Sequence, residues 1–267
     1  MQRLVYLRRP SAAAALQERL VGVGFLRAAC EDDVHGSRLV TWVRTSAEER
    51  VVRSLLGEPD QRASERVDED ALNTWKVKVT VGTWILGPGV AAPRGAKTVV
   101  TMPVGAGFGL GDHPTTLLTA RLLAEHGCAG ARVLDLGCGS GVLAALAGKL
   151  GAAQIDAVDL DSDAVAHTRK TLKANKVEGK AWTSNLLKRV PGTYDLVCAN
   201  LVGDLLVEFF GGGTLHRVLT PEGTAFLSGI SDAKRPAVLK ALAADGWQVT
   251  RRLKDDLWTG LAIQRRP

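Results

Sequence analysis

VLDLGCGSG, Val133 to Gly141, runs three β-forming residues into glycines at 137, 139 and 141, and an apolar stripe at helical spacing follows it: Val142, Leu143, Leu146, Ala147 and Leu150. The pattern predicts a strand, a tight turn and a helix, with the turn backbone passing close to something. Glycine lets the chain turn sharply and lets a ligand lie against bare N–H groups at a helix N-terminus. Downstream, a second predicted strand at 155–160 ends in Asp159 and Asp161. A carboxylate at that strand end is placed to accept the hydroxyl hydrogens of a ribose, so the pair of elements asks for an adenosine-like ligand.

A dinucleotide and a methyl donor compete for that pocket. The nicotinamide fingerprint is G-x-G-x-x-G, whereas this turn is Gly137-x-Gly139-x-Gly141 with Asp135 just before it. It resembles the first motif of class I S-adenosylmethionine-dependent methyltransferases, in which an acid such as Asp135 is common near the methionyl end of the cofactor. A ligand-free glycine turn would have no need of Asp159.

Further along, residues 162–175 read as a helix capped by Ser162, with Ala164, Val165, Thr168 and Leu172 inward and Lys170, Lys173 and Lys176 on a solvated side. A short strand at 180–183 ends in Ser184 and Asn185, which either meet the adenine edge or form a simple turn. The fourth strand, 194–199, ends in Asn200. In an open parallel sheet, strand ends near the order reversal line the ligand crevice. An amide there offers a carbonyl to an incoming amine. Residues 224–230, a helix from Ser231 to about 244, and a closing hairpin at 247–253 and 257–265 complete an α/β reading: a doubly wound seven-stranded sheet whose last strand inserts antiparallel.

Upstream, Gly105 to Thr116 (GAGFGLGDHPTT) alternates glycines around Phe108 and enters a helix at 115–125 through Pro114. The loop is placed to cover a cofactor. His113 reads as structural because no second metal ligand lies near it, and no metal site is expected. Thr115 and Thr116 either cap the helix or reach the cofactor's carboxylate.

The N-terminal residues carry a different order: strand 2–8, helix from Pro10 to about 20, strands at 25–31 and 38–44, a helix from Ser46 to 56 and a weak strand at 62–67. That βαββαβ series is the ferredoxin-like split unit, a small α+β module suited to recognition. The expected division is 1–67 for this module, 68–95 for a polar linker and lead-in strands, and 96–267 for the cofactor domain.

The 267 residues are 46% hydrophobic and 23% charged, an ordinary globular composition with room for a sizeable core. Four cysteines lack C-x-x-C pairing, which fits a reducing cytosol and suggests neither zinc nor a disulfide framework. No apolar run approaches the roughly 18 residues of a membrane helix. The Arg-rich, Ala-rich first twenty residues faintly resemble a transit peptide, but they read as well as strand and helix. Net charge is +6 and sits at the ends: residues 234–267 hold eight Lys/Arg against three Asp/Glu. Basic ends suit a partner rich in phosphate or carboxylate, or are merely solvated.

These residues together resemble a named family, the PrmA-like methyltransferases that modify the eleventh protein of the large ribosomal subunit in bacteria. The likeness covers about residues 70–265. It is strongest in the loop, where the family's A-F-G-T-G-x-H-x-T-T meets Ala106, Phe108, Gly109, Gly111, His113, Thr115 and Thr116, with Gly107 extra and Leu110 in place of the threonine. The family's linker motif keeps Glu69, Asp70, Trp75 and Lys76 and lacks its first tryptophan. The resemblance implies S-adenosylmethionine as cofactor, bound by Phe108, Thr116, Asp135, Gly137, Gly139, Asp159 and Asn200. It implies Asn200 as the residue that orients the nucleophile, and lysine ε-amines, with an α-amine, of a ribosomal protein as acceptors. A cytoplasmic monomer is expected. The rivals are a methyltransferase of another protein lysine or other amine, and a non-catalytic ribosome-associated binding protein. Nucleic-acid amines are usually served by N-P-P-[YF], whereas this chain has Asn200, Leu201 and Val202.

Overall fold

The computed structural model describes residues 2–8, 28–33, 36–43, 46–64, 76–103, 111, 113–210 and 213–267. The chain divides into two compact units, Met1–Leu72 and Asn73–Pro267. The smaller unit holds β1 (Gln2–Arg8), β2 (Ala28–Asp33), β3 (Gly36–Val43), α1 (Ser46–Leu56) and β4 (Gln61–Ser64) in a sheet of order β2-β3-β1-β4. Its described pairings are antiparallel, with β1 between β3 and β4. That order is the ferredoxin-like one; the expected helix at 10–20 falls outside the described residues. Tyr6 and Val52 are fully buried, and the Tyr6 hydroxyl donates to the Gly57 carbonyl at 3.4 Å.

The larger unit opens with a three-stranded sheet, β5 (Lys76–Thr80), β6 (Thr83–Leu86) and β7 (Thr98–Thr101). After it come α2 (Pro114–His126), β8 (Arg132–Leu136), α3 (Val142–Lys149), β9 (Gln154–Asp159), α4 (Ser162–Ala174) and β10 (Lys180–Thr183). A 3-10 turn, Leu186–Arg189, leads to β11 (Tyr194–Asn200). The chain closes with α5 (Gly203–Phe210), α6 (Leu215–Val218), β12 (Leu219–Ser231), α7 (Arg235–Ala244), β13 (Trp247–Asp255) and β14 (Trp258–Arg265).

Seven strands make one sheet of order β10-β9-β8-β11-β12-β14-β13. The first five are parallel and β14 enters antiparallel between β12 and β13, as expected. Chain order runs outward one way from β8 and the other way from β11, so the switch point lies between them. Strands covered on both faces read as near-continuous apolar runs. Val133, Leu134 and Leu136 of β8 are accordingly all fully buried. One core joins α2, α3 and α4 to the sheet face carrying Val133, Cys198 and Phe226. The other joins α5 and α7 to the face carrying Leu134, Val197 and Leu227.

Two polar clamps fix the frame. At the N-terminal ends of β8 and β11, Arg132 donates to the Asp195 carboxylate through its backbone N (2.9 Å), Nε (3.2 Å) and one Nη (3.0 Å). The guanidinium holds Asp195 below the usual carboxylate range. Both side chains are part-exposed, so water screens the pair and it serves register more than stability. Deeper in, the Asn175 amide donates to Thr101 O and Thr171 O and accepts from Thr101 N, all at 2.8 Å. This fixes β7, which leads toward the glycine loop, against the end of α4.

Candidate active site

Because β9, β8 and β11 are neighbours, Asp159, Gly137 and Asn200 lie at the C-terminal ends of three consecutive strands. The turn after β8 takes left-handed backbone at Gly137 (φ 74°), Gly139 (φ 50°) and Gly141 (φ 77°). At 137 a Cβ would stand 2.6 Å from Leu201 Cδ2, and at 141 it would meet the Thr168 Cα at 2.8 Å. Side chains are excluded there by both torsion and space.

Bare N–H groups were expected on this turn, and most are in use. Gly137 N and Cys138 N donate to Val158 O (2.8 and 3.0 Å), Gly139 N to Asp159 Oδ2 (2.9 Å) and Gly141 N to Cys138 O (2.7 Å). The turn therefore serves a ligand by close approach more than by open donors. From α4, Thr168 donates to Gly139 O (3.1 Å) and Thr171 to Ser140 O (2.7 Å), holding the turn from behind. Asp159 accepts from Asp161 N through its other oxygen, at 3.0 Å. A carboxylate has about four lone-pair sites, which leaves two for a ribose.

Asp135 is 1% exposed and accepts the Ala144 N–H of the first turn of α3 at 3.0 Å. Its Oδ1 has no hydrogen-bond partner among the described residues. Burial, reinforced by the Asp159 charge and opposed by the Ala144 N–H, pushes its pKa up to about 7. Burial likewise raises the thiols of Cys138 and Cys198, so neither is a thiolate nucleophile. On the other side of the switch point, Asn200 Nδ2 donates to Thr116 Oγ1 at 3.2 Å. That turns the Asn200 side-chain carbonyl away from Thr116 and keeps the Thr116 O–H as a donor.

Residues 42–266 match the family described as ribosomal protein L11 methyltransferase (PrmA). The chain belongs to that family. A ribosomal protein L11 methyltransferase of Thermotoga neapolitana is 30% identical over 257 residues, covering 94% of each chain. One from Thermosipho melanesiensis is 38% identical over 168 residues, covering 63% of this chain and 62% of its own. Among solved structures, the ribosomal protein L11 methylase of Lactobacillus delbrueckii subsp. bulgaricus superimposes with a TM-score of 0.67 at 26% identity. It covers 72% of this chain and 99% of that one.

A methyltransferase of this family uses S-adenosylmethionine, and the residues present fit that group. The buried Asp135 Oδ1 has no partner among the described residues, and it lies on the strand that leads into the glycine turn. Leu160, between Asp159 and Asp161, is a 70% exposed leucine beside the proposed ribose acceptor. Phe108 lies outside the described residues.

Other expectations shift. Asp161, not Ser162, caps α4: its backbone is extended (φ −88°, ψ 123°) and its carboxylate accepts from Asp163 N at 2.8 Å. His113 caps α2, its Nδ1 accepting from Thr115 N (3.3 Å) and meeting Thr115 Oγ1 (2.8 Å), with its ring edge-on to Trp258. Ser184 is spent on the turn, donating to Leu186 O (2.8 Å) and accepting from Arg189 N (3.2 Å), while Asn185 is exposed.

The raised Asp135 pKa sets a stability profile. Below about pH 4 the carboxyl is neutral in folded and unfolded chains alike. Between there and about 7 the unfolded chain ionises while the folded one keeps its proton, so stability falls as pH rises. Asp135→Asn is therefore expected to gain on the parent protein between pH 5 and pH 8, by about 5 °C in melting temperature. A difference that stays flat across that range in scanning calorimetry would contradict the assignment.

Proposed function

We propose that this chain methylates lysine ε-amines, and an α-amine, of ribosomal protein L11, with Asn200 orienting the nucleophile. The observation that carries the reading is the Asn200 amide, held by Thr116 at the switch point beside the glycine turn. When bound, S-adenosylmethionine supplies a methyl group on a positively charged sulfur. Asp159 holds the ribose hydroxyls through its two remaining lone-pair sites, and Asp135 Oδ1 accepts from the ammonium group. The Thr116 hydroxyl donates to the carboxylate, while Gly137 and Gly139 let the methionyl portion lie close. Phe108 belongs to the same cofactor set.

Methyl transfer needs a neutral amine aligned with the methyl–sulfur bond, so positioning does most of the work. A lysine amine titrates near roughly 10.4 in water, and the apolar rim of Leu201 and Val202, the latter 41% exposed, favours its neutral form. Asn200 Oδ1 accepts one N–H. The aligned nitrogen would take the methyl group that S-adenosylmethionine supplies, and water would take the proton from the alkylammonium product.

The finer setting follows the same reading. The enzyme acts in the cytoplasm as a monomer, with its basic C-terminal strands, where Arg251 and Arg252 are exposed, toward ribosomal RNA. Incubation with tritium-labelled S-adenosylmethionine and purified L11 is expected to label the protein on lysine. Cofactor binding by calorimetry without transfer of label defeats the reading; label in RNA moves it to a nucleic-acid amine.

A further inference from the structure

Three hydroxyls late in the sheet, those of Ser228, Ser231 and Thr259, are buried without a hydrogen-bond partner among the described residues. An orphaned buried hydroxyl is destabilising, and replacement by an apolar group of the same shape is close to neutral or better. Where such a hydroxyl lies on the face of the site, an incoming ligand can supply its partner. Their positions separate them. Thr259 is the register partner of Ile230 and shares the sheet face of Leu261 and Ile263, away from Asn200. Ser228 is the register partner of Asn200 itself. Two residues before each stand Phe226 and Cys198, both in the core beneath α2, so Ser228 and Asn200 share the face that carries Thr116.

The backbone fixes this pairing tightly. Leu201 N donates to Ser228 O at 3.2 Å. Gly229 then takes φ 83°, and a Cβ on it would lie 2.0 Å from Leu201 O. The left-handed glycine brings β12 against the end of β11 and carries the register shift that follows Leu227. Ser228 is fully buried where Asn200 is part-exposed. Adjacent strands stand ~4.8 Å apart, so an amine between the two side chains meets an amide oxygen on one side and a hydroxyl oxygen on the other.

We propose that Ser228 Oγ is a second acceptor for the methyl-accepting amine, working beside Asn200 Oδ1 to aim the nitrogen lone pair. The inference rests on the reading of Asn200 given above. A neutral primary amine carries two N–H bonds and one lone pair. Accepting both hydrogens leaves a single direction for the lone pair, toward the methyl group. A monomethylated lysine offers one N–H, which Asn200 takes, so Ser228 matters less to it. The pair of acceptors thus favours an unmodified lysine over its own product, a preference built into strand register.

The test uses the full chain and two synthetic acceptor peptides, one with unmodified lysine and one with monomethyl-lysine. Ser228→Ala is expected to lower kcat/KM about tenfold on the first peptide and by less than about threefold on the second. Its melting temperature should equal or exceed the parent's, and calorimetric affinity for S-adenosylmethionine should hold. Ser228→Thr, which keeps a hydroxyl, should restore most of the lost preference, and Thr259→Val should change neither rate. If the alanine variant does not fold, Ser228→Cys carries the same comparison with a poor acceptor. Equal losses on both peptides, no loss on either, or a matching loss of cofactor affinity overturns the proposal. A parent enzyme that binds cofactor yet methylates neither peptide overturns the lysine reading and this one with it, whereas an active parent with an indifferent Ser228→Ala overturns this one alone.

Discussion

Asp159→Ala is expected to weaken S-adenosylmethionine binding by roughly a hundredfold or more. In the proposed complex its carboxylate accepts two charge-assisted hydrogen bonds from the ribose hydroxyls, each about 1.5–3 kcal/mol, and every 1.4 kcal/mol is roughly a factor of ten. The same carboxylate also holds the protein together locally, accepting Gly139 N at 2.9 Å and Asp161 N at 3.0 Å. Alanine therefore removes ribose acceptors and loosens the glycine turn at once. The two effects separate with a ligand lacking one hydroxyl. The parent protein should lose affinity for 2′-deoxy-S-adenosylhomocysteine relative to the ribose form, and Asp159→Ala should bind both forms alike. A loss that is the same size for both proteins assigns the effect to the turn alone. Asp159→Asn adds a second view, because its amide nitrogen is set against a backbone N–H that now has no acceptor. Binding by Asp159→Ala within twofold of the parent, measured by calorimetry, would sink the ribose assignment.

What the sequence made legible follows how locally each feature is determined. The β8–turn–α3 segment was readable because a strand buried on both faces must be apolar throughout and a turn with positive φ at 137, 139 and 141 must be glycine. The meeting of Thr116 with Asn200 was foreshadowed by resemblance and not by spacing, since 84 residues separate them and only the sheet order brings α2 over β11. The cap of α4 was misplaced by one residue: Asp161 and Ser162 are both good caps, and only the extended backbone of the former decides. β7 was not read at all. Four residues are too short to show alternation, and its position depends on parallel pairing with β6 and on the Asn175 amide, neither visible in composition. α5, GDLLVEFF, escaped for a related reason, as eight residues of mixed β and helix preference between a strand and a glycine run carry little periodic signal. The orphaned oxygens of Asp135 and Ser228 belong to the same class, because a missing partner is a property of packing.

Asn200→Ala should lower kcat by roughly a hundredfold while leaving cofactor affinity within about threefold, the size expected when a positioned reactant loses its alignment. The split between those two readouts is what the geometry demands. The Asn200 side chain rests its Nδ2 on Thr116 Oγ1, and in the proposed complex that contact decides which end of the amide is left for the acceptor. Thr116→Val removes the anchor without touching the carbonyl. The amide is then free to turn, so kcat should fall by a smaller factor, about tenfold, with a further loss in cofactor affinity because the Thr116 hydroxyl also serves the carboxylate in the proposed complex. Asn200→Asp tests the chemistry more sharply. Its carboxylate still accepts from an amine, but it would hold the acceptor as an ammonium ion, whose lone pair is gone. The rate of Asn200→Asp should therefore rise steeply with pH over a range where the parent is already near its plateau. If Asn200→Ala instead keeps the parent's kcat and loses only cofactor affinity, Asn200 is a cofactor ligand and the nucleophile is aimed by something else.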